Sequence, residues 1–105
     1  IYYLKKTYEL AIKNNLKNFI IIGIPIMEDF DFLKDKYTLR KKAKWEKELI
    51  DFEKINKSFK YIDGFKVLDL LKEQNLAPQK LFLSCDGHWS PVGALLNAEL
   101  INSNL

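Results

Sequence analysis

The sequence carries a single histidine, His88, two residues after Asp86 in the stretch SCDGHWSPVGALLNAEL. A carboxylate beside an imidazole can accept a hydrogen bond from one ring nitrogen, fix the tautomer and stabilise the imidazolium. An unperturbed histidine titrates near pH ~6.5, which suits a general base. The plainer reading is a turn, with Asp86 and Gly87 as turn formers and His88 exposed before a helix cap. On spacing alone the turn is favoured, because an Asp-x-His triplet is a weak signal. Nothing in the stretch is an obvious nucleophile. Cys85 would have to face His88, yet neighbouring side chains on an extended segment point to opposite sides. It reads better as a small buried residue.

Other chemistries fit less well. A zinc site needs three or four protein ligands at recognisable spacing, and this chain has one histidine and one cysteine. No metal site is expected. The only basic cluster, LRKKAKW, reads as a solvated helix face, diluted by Glu46, Glu48, Asp51 and Glu53 within the next two turns. Asp29 and Asp31 in EDFDF have no evident partner and read as loop solvation. Trp45 lies on a helical stripe and is expected in the core. Trp89, beside His88, is a weak candidate for contact with a substrate.

Composition bounds the class. The chain has 105 residues, 48% hydrophobic and 30% charged, with net charge +3. That is enough for one small packed domain and too mild a basic excess for a dedicated nucleic-acid binder. One cysteine excludes an internal disulfide framework. The longest apolar run, residues 19–27, is far shorter than a membrane helix. No signal peptide is visible. The first residue is isoleucine, and we expect sequence to precede it, with room for a leader or anchor.

The elements that must position the Asp-His pair follow from periodicity. Tyr3 or Leu4, Tyr8, Ala11 and Ile12 share one side of an amphipathic helix over 2–15. NFIIIGIP is a continuous apolar run closed by Pro25, suited to a buried parallel strand. Residues 26–37 read as a loop. A charged helix follows over about 39–56, with Trp45, Leu49 and Phe52 on one stripe, widened by Leu39, Ala43 and Ile50. FKYID is a second strand ended by Gly64. KVLDLLKEQN is a short helix with Val67, Leu68 and Leu71 inward, and APQKLFLS reads as extended. The last helix starts with Ser90 as cap and Pro91 at its first position. Its residues Val92, Leu95, Leu96 and Leu100 face one way, and burial over most of its surface is expected.

Strand, crossover helix and second strand predict a right-handed βαβ unit in a parallel sheet. Two strands alone leave FIIIGI with an unpaired apolar edge. The chain therefore reads as part of a larger α/β domain. There are no repeats and no low-complexity segments.

With those residues laid out, DGHWSPVGALLNAELI resembles the last conserved block of the SGNH (GDSL-like) hydrolase superfamily. The matching positions are Asp86, His88, Pro91, Gly93, Ala98 and Glu99. FIIIGIP resembles that family's late strand ending in Pro. FKYID resembles a strand that often ends in Asp, here Asp63. The likeness covers nearly all of the chain, although only DGHW is specific. It implies a flavodoxin-like three-layer α/β/α fold and a Ser-His-Asp triad. It also implies hydrolysis or acyl transfer on small or carbohydrate esters, without metal or organic cofactor. On this resemblance His88 is the general base and Asp86 its orienting carboxylate.

The departures define what is missing. The family's Gly-Asp-Ser segment and its oxyanion-hole Gly and Asn have no counterpart here. Ser58, Ser84, Ser90 and Ser103 lie outside that context. The resemblance therefore implies an incomplete domain over 1–105, its first strands missing, inactive alone and completed by the rest of a parent chain. Alginate O-acetyltransferase-like members carry Asp-x-His-Trp with the serine downstream, and Trp89 is compatible with them. An upstream serine is preferred, because INSNL reads as an ordinary chain end. The rival from another class is a non-catalytic α/β interaction module in which Asp86-Gly87-His88 only turns the chain. If the resemblance holds, the Asp86 carboxylate meets His88 Nδ1 and Nε2 faces open space.

Overall fold

A computed structural model describes residues 1–27, 43–84 and 86–105. It is a mixed α/β structure whose described residues hold four α-helices and a two-stranded parallel sheet. The order is α1 (Tyr2–Lys13), β1 (Phe19–Gly23), α2 (Lys44–Ile55), β2 (Phe59–Asp63), α3 (Val67–Glu73) and α4 (Pro91–Asn104). Two compact units divide the chain, 1–22 with 41–62 and 23–40 with 63–105. The loop expected at 26–37 lies outside the described residues from position 28 on, with Asp29 and Asp31. So do Leu39, most of the basic cluster, and Cys85.

The first unit is organised by aromatic rings. Period-two alternation puts Phe19 and Ile21 of β1 on the same face as Phe59 and Tyr61 of β2. Helices α1 and α2 cover that face with Leu4, Tyr8, Leu49, Ile50 and Phe52. Tyr8 meets Phe19, Phe52 and Phe59 edge-on, at centroid distances of 5.9, 5.3 and 5.7 Å. Such edge-to-face pairs add to what burial alone contributes. Within β1 no residue is fully buried, and Ile20 is exposed.

Two expectations need correction here. Of the alternatives Tyr3 and Leu4 it is Leu4 that packs against the core, and the buried stripe of α1 runs through Tyr8 and Ala11, but Ile12 is exposed. Trp45 is 46% exposed, and its neighbour Glu46 is buried in its place at 1%. A buried carboxylate needs hydrogen-bonding partners. Glu46 accepts from the Ala43 backbone N–H at 2.6 Å, at the start of α2, and from the Tyr61 hydroxyl at 3.3 Å. The rest of the expected stripe holds, with Leu49 buried and Ile50 and Phe52 packed against the core. The Trp45 ring meets the Tyr61 ring edge-on, at 6.4 Å between centroids.

The second unit packs α3 against α4, with Val67, Leu71, Leu81, Leu96 and Leu100 buried. Asp63 accepts from Phe65 N and caps a short 3₁₀ turn, Gly64–Lys66, which leads into α3. A Cβ on Gly64 would overlap the Gly23 carbonyl oxygen and sit 3.0 Å from Pro25 Cδ. Helix α3 stops at Asn75, whose φ of 53° is left-handed, while Leu76 N returns to Leu71 O at 2.9 Å. Asn15 ends α1 in the same way, with Leu16 N on Ala11 O at 3.1 Å.

Two further corrections fall in this unit. The segment after Ala77 is not extended throughout: Pro78 opens a 3₁₀ turn, Pro78–Leu81, closed by Lys80 N on Ala77 O at 2.9 Å. Proline presets the φ that such a turn needs. Helix α4 is buried along one side only, through Gly93, Leu96 and Leu100. Val92 and Leu95 are exposed. Its apolar character all round had suggested fuller burial, but among the described residues α3 and the two 3₁₀ turns, Gly64–Lys66 and Pro78–Leu81, cover one stripe.

Candidate functional site

The Asp-His pair sits on a short closed loop. After the 3₁₀ turn the chain runs out through Phe82, reverses, and returns through Trp89 into the cap of α4. Phe82 and Trp89 form an isolated antiparallel bridge. The hydrogen bonds beside it are Ser90 N to Leu81 O at 2.8 Å and Leu83 N to His88 O at 2.9 Å. This makes Phe82 and Trp89 a non-hydrogen-bonded pair, the kind whose side chains approach most closely. Their rings stack at 4.9 Å with an interplanar angle of 26°.

Ser90 fastens both ends of the loop. Its Oγ accepts from Gly93 N at 3.0 Å, capping α4, and donates to Lys80 O. The hydroxyl is thus committed, and the residue is buried. Gly93 follows in the first turn. A Cβ there would overlap the Leu81 carbonyl oxygen and lie 2.6 Å from Trp89 Cε3. Only glycine lets the start of α4 close over the loop's base.

At the tip, one oxygen of Asp86 accepts twice. Asp86 Oδ1 takes the His88 backbone N–H at 3.0 Å, an Asx turn, and pairs with His88 Nδ1. Asp86 N in turn reaches Leu83 O at 3.2 Å. With Nδ1–H donated to the carboxylate, the lone pair of the neutral ring lies on Nε2. His88 leaves 84% of its side chain exposed, and Nε2 has no partner among the described residues. The arrangement can hold an imidazole in one tautomer with its accepting nitrogen turned outward.

The pairing also acts on the carboxyl. The His88 ring N–H, then the His88 backbone N–H, hold Asp86 below its ordinary value of 3.8. A carboxyl with a depressed folded pKa lends its contribution fully above the unfolded value and loses it as pH falls through the folded one. The loop should therefore keep its Asx turn and ring contact through pH 3.8 and lose them only in stronger acid. A carboxyl carbon NMR titration of Asp86 is expected to show a midpoint below 3.8. A midpoint at or above that value would mean the pairing does not hold in solution.

The remaining sequence candidates scatter. Trp89 is half-buried and engaged by Phe82 and Gly93, so its ring fastens the loop. Ser58 lies just before β2, its carbonyl taken by Phe19 N. Ser103 donates to Leu100 O in the last turn of α4. Ser84 lines a cavity beside the loop. No serine hydroxyl among the described residues meets His88. Among the described residues no three His, Cys, Asp or Glu side chains converge as a metal site would require. No helix among them is long and apolar enough to cross a membrane.

Two contributors escaped the sequence reading. Phe82 stood in a segment without periodicity, and its pairing with Trp89 depends on a loop closure that no local signal announces. The cavity wall formed by Met27, Leu83 and Val92 joins residues that are distant in sequence. No protein family, curated protein or solved structure compared with the chain matches it.

Proposed function

We propose that residues 1–105 supply the histidine and aspartate of a Ser-His-Asp triad in an SGNH-like serine esterase or O-acyltransferase. In this reading the parallel pair β1–β2 belongs to the sheet of a flavodoxin-like three-layer α/β/α fold with a right-handed crossover. The substrate is a small or carbohydrate ester. The observation that carries the proposal is the double use of Asp86 Oδ1, which orients His88 and leaves Nε2 free to accept a proton.

The chemistry follows the general triad scheme. A serine from outside these residues attacks the ester carbonyl while His88 Nε2 takes its hydroxyl proton. Asp86 stabilises the imidazolium. His88 then returns the proton to the departing alkoxide, leaving an acyl-enzyme. Water, or a second alcohol, is deprotonated by the same nitrogen and resolves it.

A second reading has its own support. The hydrogen bond from His88 N to Asp86 Oδ1 is a complete Asx turn without any catalysis. A non-catalytic α/β interaction module would need nothing more.

Two measurements separate them. The purified 105-residue chain should not turn over a p-nitrophenyl ester, since it holds neither nucleophile nor oxyanion donors, which supply most of the acceleration. Turnover by this chain that His88→Ala abolishes would refute an external nucleophile. In the complete protein, a fluorophosphonate should label one serine outside residues 1–105, and labelling should depend on His88. Its position, upstream or downstream, assigns the hydrolase-like or the acetyltransferase-like arrangement. Absence of labelling favours the module.

A further inference from the structure

A cavity of about 560 Å³ opens beside the dyad loop, within the second unit. Its apolar wall is Met27, Phe82, Leu83 and Val92, and Gln79, Lys80, Ser84 and Ser90 lie on it as polar residues. We propose that this cavity is the acyl-group subsite of the site described above, selecting acyl chains several carbons long over acetyl. The inference rests on the esterase or acyltransferase reading.

Three observations support that occupant. The first is shared construction. Leu83 N donates to His88 O at 2.9 Å, and Phe82 stacks on Trp89 next to His88. Two residues of the cavity wall, Phe82 and Leu83, thus also close the loop that carries the base, so a group seated there lies beside the dyad loop.

The second is lining chemistry. A thioether, a phenyl ring and two branched aliphatic side chains offer dispersion contacts and few hydrogen bonds. No carboxylate of a described residue lines the cavity, and the Ser90 hydroxyl at its wall is already committed to Gly93 N and Lys80 O. Gln79, Lys80 and Ser84 could meet one or two hydroxyls, but most of the lined surface is apolar, so a sugar placed there would set most of its hydroxyls against carbon, which is costly. The acyl half of an ester fits and the carbohydrate half does not.

The third is size. The volume falls within the range of small-ligand pockets. An acetyl group would leave most of it to water, together with Leu83 and Val92, which are 44% and 37% exposed. A fully buried methylene is worth roughly a fourfold gain in affinity. On a wall exposed to this degree about half of that, on a logarithmic scale, is realised. Four additional methylenes then predict about a tenfold preference or more for hexanoyl over acetyl.

The test is a methyl-detected NMR titration of the 105-residue chain with methyl hexanoate and, separately, methyl acetate. The expected result is saturable shifts of the Met27, Leu83 and Val92 methyl signals with methyl hexanoate, at least about tenfold tighter than with methyl acetate. Val92→Gln, at an exposed helix position, should remove the preference and leave the far-UV circular dichroism unchanged. Equal affinity for the two esters would overturn the subsite, as would shifts centred on Leu95 or Ile24, exposed residues outside its lining. Because the readout is binding, it is independent of turnover. A hexanoyl preference combined with full activity of His88→Ala in the complete protein would retain the cavity as a ligand site and remove the catalytic reading. Equal affinity combined with loss of activity would do the reverse.

Discussion

Replacing His88 by alanine in the complete protein is expected to abolish nearly all ester turnover, a loss of about a thousandfold or more in kcat. His88 is the only imidazole in these 105 residues, so no neighbour in this segment can take over proton transfer. The ring is held by Asp86 through Nδ1 alone, and 84% of the side chain is exposed. Its removal should therefore cost little stability, and the loss should appear in kcat. Asp86→Asn should cost as much or less. It removes the charge that stabilises the imidazolium and disturbs the tautomer, yet leaves the base in place. A steady-state comparison of the two variants, with melting curves to confirm folding, decides the question. If both keep the parent kcat while folded, the pair is only a turn.

The second large effect concerns the fold around the loop. Gly93→Ala should destabilise the chain by about 3 kcal/mol. The added methyl would overlap the Leu81 carbonyl oxygen and lie 2.6 Å from Trp89 Cε3, and both neighbours are fixed. Leu81 O accepts from Ser90 N, and Trp89 is stacked on Phe82. Relief would require α4 to tilt away from the turn before it. For a domain of this size the change corresponds to a fall in melting temperature of roughly 10–20 °C. Gly87→Ala is the control. Nothing lies within 4 Å of a Cβ at Gly87, and its φ is not positive, so the variant should melt within a degree or two of the parent. Equal melting temperatures for the two variants would show that α4 does not close over Leu81 in solution.

Parts of this structure could be read directly from the sequence. The start of α4 was legible because Ser90-Pro91 is local chemistry: one residue supplies a cap and the next a preset dihedral. Both strands were legible, β1 as an apolar run closed by Pro25 and β2 as a short segment ended by Gly64, whereas the spacing of Asp86 and His88 by itself favoured a plain turn. The stripe of α2 was legible through Leu49 and Phe52, but not at its first turn, where Glu46 rather than Trp45 is buried. The partners of that carboxylate are a tyrosine hydroxyl fifteen positions away and the Ala43 amide. The exposed side of α4 was equally illegible, because apolar content says that a helix can be covered and not that a neighbour covers it. The loop's closure depends on Phe82 meeting Trp89, a contact set by pairing across a turn.

That closure has a thermodynamic consequence. A histidine on an unrestrained loop would sample many arrangements, and each reactive encounter would have to select one against the entropy of the rest. Here the stacked rings, two flanking hydrogen bonds and the Ser90 cap remove that freedom when the chain folds. The ordering cost thus falls on folding and is absent from every later encounter with a ligand. Loosening the stack, as Phe82→Ala would do, should leave the chemical groups intact and slow any reaction they perform through entropy alone. The effect would appear as a more negative activation entropy at nearly unchanged activation enthalpy.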